Sequence, residues 1–158
     1  MSYIVKRANI EDLKAIQELN DKLFELEYEK FDPALKVGWS FEKEGIEYFT
    51  EMLTNQIVFI GIDNNKIVGY LAGSLNIENS YVTKTLAEID NMYVSEEYRR
   101  SGLGTNLITK FKEYCKEFDI QEIKVTASSK NCNAIKFYKK NGFEDFEYTL
   151  KMKLDKEE

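Results

Sequence analysis

The chain contains no histidine. Ser-His and Cys-His nucleophilic pairs are therefore excluded, and so is most zinc catalysis. No metal is expected, and acid–base chemistry falls to carboxylates, tyrosine, lysine, cysteine or water. Proline occurs once, at Pro33. The two cysteines, Cys115 and Cys132, are too few and too far apart for a disulfide framework. No apolar run reaches the roughly 20 residues of a membrane span. The first residues lack a basic stretch followed by an apolar core, so no signal peptide and a cytoplasmic location are expected. We find no repeat, linker or low-complexity segment.

What is present suits a folded chain: 158 residues, 43% apolar and 32% charged. Residues 1–158 read as one domain with a sizeable core. The net charge of -6 is unevenly spread. Residues 1–54 carry net −5 and residues 99–140 net +6. The acidic block favours a cationic ligand and disfavours nucleic acid, although it also reads as ordinary solvated helix faces.

Tyr3–Arg7 reads as a short strand. Asn9, with Asp12 three residues on, predicts a capped helix whose apolar face holds Ile10, Leu13, Ile16, Leu19, Leu23 and Phe24. Phe31-Asp32-Pro33 ends it. Ser40 is expected to cap a second helix carrying Phe41, Ile46, Phe49, Met52 and Leu53. The connection holding Trp39 reads either as a border to a substrate site or as a loop that buries its tryptophan. Ile57–Ile62 and Ile67–Leu75, joined by Asp63-Asn64-Asn65-Lys66, predict a hairpin. Gly69 and Gly73 suggest a bulge or a close backbone approach. Thr85–Val94 is the next strand, and Glu122–Ala127 another. The period of two is clearest at the end, where Phe146, Tyr148, Leu150, Met152 and Leu154 alternate with polar residues and predict a final strand. The expected order is β-α-α-β-β-β-α-β-α-β. This is an α/β fold with one mixed, mostly antiparallel sheet and helices on both faces.

The chain is organised around Asn91–Thr105. A strand ends at Val94. From Leu103 the period shifts to 3.6, with Leu107, Ile108, Phe111, Tyr114, Cys115 and Phe118 on one helix face. Between lies Arg99-x-x-Gly102-x-Gly104. Helix N-termini offer unpaired N–H groups and partial positive charge, glycines admit a bulky phosphate, and Arg99 and Arg100 add fixed charge. An ordinary strand-to-helix turn would carry the same glycines. The pattern is neither a P-loop nor a dinucleotide fingerprint.

About thirty residues on stand Asn131-x-x-Ala134-Ile135 and Phe137-Tyr138-x-x-x-Gly142-Phe143. Together with Arg-x-x-Gly-x-Gly, this pair resembles the GNAT superfamily of acetyl-CoA-dependent N-acetyltransferases, in detail over residues 55–154. The resemblance implies acetyl-CoA as co-substrate. Its pyrophosphate would lie on the backbone of Arg99, Arg100, Ser101, Gly102, Leu103, Gly104 and Thr105. Its pantetheine arm would run beside Met92, Tyr93 and Val94, Asn131 would contact the arm, and Tyr138 would lie near the thioester sulfur. A proline is frequent just after the strand in such proteins, and here Ser95 stands in its place.

The chemistry itself is attack of an amine on a thioester. Exposing the lone pair of an amine of pKa ~10.4 costs about 4–5 kcal/mol at pH 7. A carboxylate, directly or through water, takes that proton. Backbone N–H groups near Met92 can hold the oxyanion, and a tyrosine can protonate the leaving thiolate. Glu88 and Asp90 are the candidate bases, sharing a face with Met92 and Val94 if no bulge intervenes. Glu88 matches the base of the histone-acetylating branch, and Asp90 the water-relaying glutamate of the polyamine-acetylating branch. Packing for Tyr138, helix capping for Asn131, and simple charge attraction for the two acids are the competing readings. The expected acceptor is a small cationic amine, with a peptide or protein amine as competitor. A non-catalytic acetyl-CoA sensor is the reading from another class. No nucleic-acid or membrane partner is expected, and a homodimer is left open.

Overall fold

A computed structural model describes residues 2–77 and 79–155. Its elements are β1 (Ile4–Arg7), α1 (Leu13–Lys30), α2 (Lys43–Asn55), β2 (Ile57–Asp63), β3 (Lys66–Ser74), β4 (Leu86–Val94), α3 (Leu103–Glu117), β5 (Glu122–Val125) and α4 (Cys132–Lys140). The five strands form one sheet in the order β1-β2-β3-β4-β5. The first three pairings are antiparallel and β4–β5 is parallel. Element order follows the sequence expectation through α4. The expected final strand does not join the sheet: residues 143–155 carry no helix, turn or ladder.

Burial on both faces of the sheet explains its apolar sequence. In β2, Ile57 and Phe59 face one core with Leu103, Leu107, Ile108 and Phe111 of α3. Val58 and Ile60 face the other with Ile16 and Leu19 of α1 and Phe49 and Met52 of α2. Gly73 permits close packing, since a Cβ there would collide with the Phe111 ring.

Helix starts follow local chemistry. Asn9 and Asp12 form the expected capping box, which opens a 3-10 turn before α1. Ser40 is not the cap of α2. It lies buried in a separate 3-10 turn, where its hydroxyl donates to the Gln17 carbonyl at 2.9 Å. The glycine at position 45 lets that turn pack on α2. Phe41 and Ile46 consequently stay exposed, and Phe49, Met52 and Leu53 make the buried face. Trp39 stacks on Phe24 with centroids 5.8 Å apart and meets Tyr48 and Phe49. It is a packing residue in this structure.

Candidate active site

The centre of the site is the part of β4 that β5 does not accompany. β5 pairs with Leu86–Ile89 and ends opposite Ile89. From Asn91 to Val94, β4 has a ladder on the β3 side only. The two parallel strands therefore part, and one edge of β4 is left open toward the start of α3 and α4. That open edge leads through Ser95 and a 3-10 turn at Glu96–Tyr98 into the glycine turn.

The turn is held by long-range bonds. The Tyr3 hydroxyl donates to the Ser101 carbonyl at 3.1 Å and accepts from the Asn106 amide at 2.9 Å. Tyr98 donates to Asp63 at 2.7 Å. Gly102, with φ of 88°, is the N-cap of α3 and needs the left-handed region that glycine enters freely. Arg100 also has positive φ, at 68°. Among the described residues, the backbone N–H groups of Arg100, Gly102, Gly104 and Thr105 find no acceptor. They form a cluster of donors at a helix start, the arrangement suited to an anion.

Two residues of the turn differ from the simplest expectation. Gly104 is a packing glycine, because a Cβ there would approach Phe137 Cζ to 2.9 Å. It admits α4 against α3. The Arg99 guanidinium is committed locally, donating to the Val94 carbonyl at 3.0 Å and lying 5.2 Å from the Tyr93 ring centre. Both arginines are exposed, and Arg100 is the one without such a side-chain contact among the described residues.

β4 contains a bulge that reassigns its faces. Ala72 pairs with Asn91 and Gly73 with Ile89, so Asp90 is the extra residue. Glu88, Asp90, Met92 and Val94 therefore do not share a face. Ala87, Ile89, Met92 and Val94 pack toward α3, while Tyr93 packs with the α1–α2 core. Asp90 and Asn91 both turn toward α2. Tyr48 donates to Asp90 at 2.7 Å, and Asn91 donates to Tyr48 at 3.0 Å. Ser74 also donates to Asp90, at 2.8 Å. The chain of donors continues inward, from Asn20 of α1 to Tyr70 at 3.0 Å and from Tyr70 to Asn91 at 2.5 Å. Asp90 is thus the final acceptor of a polar line crossing four elements. Burial, with the Asp90 charge second, pushes the Tyr48 hydroxyl well above the ordinary phenol range. Tyr70 moves in the same direction, chiefly by burial.

Glu88 lies off this line. It is 4.0 Å from Lys124 of β5. Burial raises its carboxyl above the usual range, Lys124 lowers it, and Asp90 raises it further. On α4, Asn131 is the N-cap, accepting from the Ala134 amide at 3.1 Å. Tyr138 packs edge-on against Phe137 and Phe143, with centroids 5.4 and 5.6 Å away. Its hydroxyl has no hydrogen-bond partner among the described residues. Burial, then the Glu27 charge, pushes it up to about 12.

Glu27 is a site residue that the sequence reading did not single out. Its charge acts on both Tyr70 and Tyr138, and burial followed by Asp32 raises its own carboxyl. Asn20 was missed as well. Both stand one and two heptads after Leu13, on the same stripe as Ile16 and Phe24, and a polar residue on an apolar stripe is the signal that could have found them. Among the described residues, no cluster of three or more His, Cys, Asp or Glu side chains could hold a metal ion.

A model of the acetyltransferase (GNAT) family matches residues 15–143. An uncharacterized N-acetyltransferase of Methanocaldococcus jannaschii is 30% identical over 148 residues, covering 92% of this chain and 62% of the relative. An uncharacterized Bacillus subtilis protein is 30% identical over 81 residues, 51% of this chain and 45% of its own. The chain thus spans less than two thirds of the curated relatives it matches. Among solved structures, an aminoglycoside acetyltransferase from an uncultured soil metagenomic sample, in complex with sisomicin, is 28% identical. It aligns over 94% of this chain and 97% of its own with a TM-score of 0.67. A tetramutant of a Bacillus halodurans protein has a TM-score of 0.84 at 18% identity, covering 96% and 99% of the two chains, and shares the fold. The match over most of this chain, on a sheet with a parted β4 and a glycine turn, identifies it as a member of the GNAT family of acetyltransferases, enzymes that use acetyl-CoA as co-substrate.

Proposed function

We propose that this protein transfers the acetyl group of acetyl-CoA to a primary amine of a small cationic molecule, by direct attack in a ternary complex. The observation that carries this reading is the open Asn91–Val94 edge of β4 leading into a turn with four unpartnered N–H groups. An extended amide-bearing arm can add to such an edge as a strand would, and a pyrophosphate fits the donors at the helix start. Arg100 supplies the free charge, because Arg99 is held by Val94 and Tyr93. Asn131 caps α4, and contact with the coenzyme arm would use what its amide has left.

The carboxylates divide by environment. Asp90 accepts a hydroxyl hydrogen bond on each carboxylate oxygen and is engaged as the end of the polar line. Glu88 is desolvated, with its carboxyl raised, and is the better proton acceptor near neutral pH. Tyr138 is neutral at every working pH and can donate to the departing sulfur.

For the acceptor, Glu27, Glu88 and Asp90 give the α1–α2 side of the site a negative potential that would attract a cation. Part of the acidic block lies elsewhere. Glu25 and Glu29 line an open depression on the opposite side of α1 from Glu27. The relative solved with sisomicin adds weight to an amino-sugar-like acceptor. The test is thiol release from acetyl-CoA with spermidine, an aminoglycoside and Lys/Arg-rich peptides, at low and high salt. A small cationic amine should give the highest kcat/KM, falling as salt rises. A peptide tenfold better than every small amine would make this a peptide acetyltransferase. Tight acetyl-CoA binding without release for any amine would make it a sensor.

A further inference from the structure

The glycine turn is shaped from the far side of the sheet. β1 forms one edge and β4 lies three strands away, with α3 packed across them. Tyr3 stands just ahead of β1, its ring half-buried against the α3 core. Its hydroxyl reaches the turn at Ser101, 98 residues further along the chain.

Ser101 sits between two residues in the left-handed region, Arg100 at φ 68° and Gly102 at φ 88°. A non-glycine residue there is strained, and such a backbone persists only where its surroundings fix it. Bonds on both sides of Ser101 do so. Its N–H donates to the Tyr98 carbonyl at 3.3 Å, and its hydroxyl donates to the same oxygen. Its carbonyl accepts from Tyr3 at 3.1 Å. A tyrosine hydroxyl has one proton to give. The Asn106 amide donates to that hydroxyl at 2.9 Å, which leaves the proton for Ser101.

The effect appears on the other side of the peptide plane. In a trans peptide, the C=O of Ser101 and the N–H of Gly102 point in opposite directions. Holding the carbonyl toward Tyr3 therefore aims the Gly102 N–H away from Tyr3, and that N–H is one of the four unpartnered donors. The bond also polarises the peptide and makes the N–H a stronger donor. We infer that Tyr3 is a positioning residue for the coenzyme, holding the Gly102 N–H on the pyrophosphate through the Ser101 peptide; this rests on the coenzyme placement proposed for the glycine turn. The N-terminal strand thereby contributes to coenzyme affinity and not to acceptor choice.

Tyr3→Phe removes the hydroxyl and keeps the ring, and circular dichroism should show the parent's fold. Calorimetry of the full chain should show coenzyme A bound roughly three- to tenfold more weakly, the worth of one neutral hydrogen bond. Pantetheine has the arm and the thiol but no phosphate, and by amide titration it should bind variant and parent alike. On saturation with coenzyme A, the Gly102 amide shift should shrink by at least half in the variant, while shifts along Met92–Val94 stay. Tyr3→4-aminophenylalanine keeps a donor at the ring end and should restore the parent affinity. Equal loss for coenzyme A and pantetheine would make the effect one of packing and overturn the inference. So would an unchanged affinity for coenzyme A. Coenzyme A that binds the parent without moving Gly102 would overturn the placement itself, and the inference with it.

Discussion

Replacing Tyr138 by phenylalanine removes one oxygen and nothing else. That oxygen bonds to no described residue, and the ring contacts to Phe137 and Phe143 do not involve it. The variant should fold with a stability within about 0.5 kcal/mol of the parent. Its rate should change because of what the hydroxyl does for the leaving sulfur. Burial and the Glu27 charge hold the phenol at about 12. A thiol of pKa ~8.5 would take its proton only against roughly 3–4 units, or about 5 kcal/mol. The hydroxyl therefore acts as a hydrogen-bond donor to developing thiolate and keeps its proton during bond cleavage. Hydrogen bonds to charged groups contribute about 1.5–3 kcal/mol. Tyr138→Phe should then lower kcat by roughly 10- to 150-fold, with acetyl-CoA affinity unchanged. Thiol release at saturating substrates measures the rate, and calorimetry the affinity. A kcat within twofold of the parent would reduce Tyr138 to packing. An alkaline limb between pH 8 and 10 that vanishes in the variant would refute the raised phenol.

Glu88→Gln should abolish the acidic limb of the kcat/KM profile. Lys124→Met, by removing the cation that lowers the Glu88 carboxyl, should move that limb to higher pH. A limb unmoved by both would shift the proton transfer to another group. Glu27 gives a stability test. Its folded carboxyl is raised, so the folded state holds that proton more tightly than the unfolded chain, and stability is lost as pH rises past the ordinary carboxylate value. Glu27→Gln should therefore raise the Tm at pH 7, and the gain should vanish below about pH 4, near the unfolded glutamate pKa of ~4.3. An equal gain at both pH values would assign the effect to packing.

The helix faces, the hairpin and the glycine turn were legible because each depends on local spacing. The stripe from Leu103 to Cys115 needs only a period of 3.6, and the Asn9–Asp12 box only two side chains and their own backbone. Whatever depended on a partner strand was not legible. The bulge at Asp90 is set by the β3 register, where Gly73 makes room for Phe111, and no pattern within β4 announces it. Gly104 reads as a phosphate glycine, yet its neighbour is Phe137, more than thirty residues away. Ser40 has the chemistry of a cap, but a buried bond to Gln17 claimed its hydroxyl. The tail shows the opposite case. Its strand pattern is plain in the sequence, while the sheet that would receive it is not specified there.

Acetyl-CoA bound as proposed lies along the open edge of β4 with its phosphates on the start of α3. Amide resonance shifts on titrating acetyl-CoA into isotope-labelled protein test this most directly. The shifts should saturate, be largest at Arg100, Gly102, Gly104 and Thr105, and continue along Met92–Val94. Saturable binding that leaves those amides unmoved and shifts another surface would contradict it.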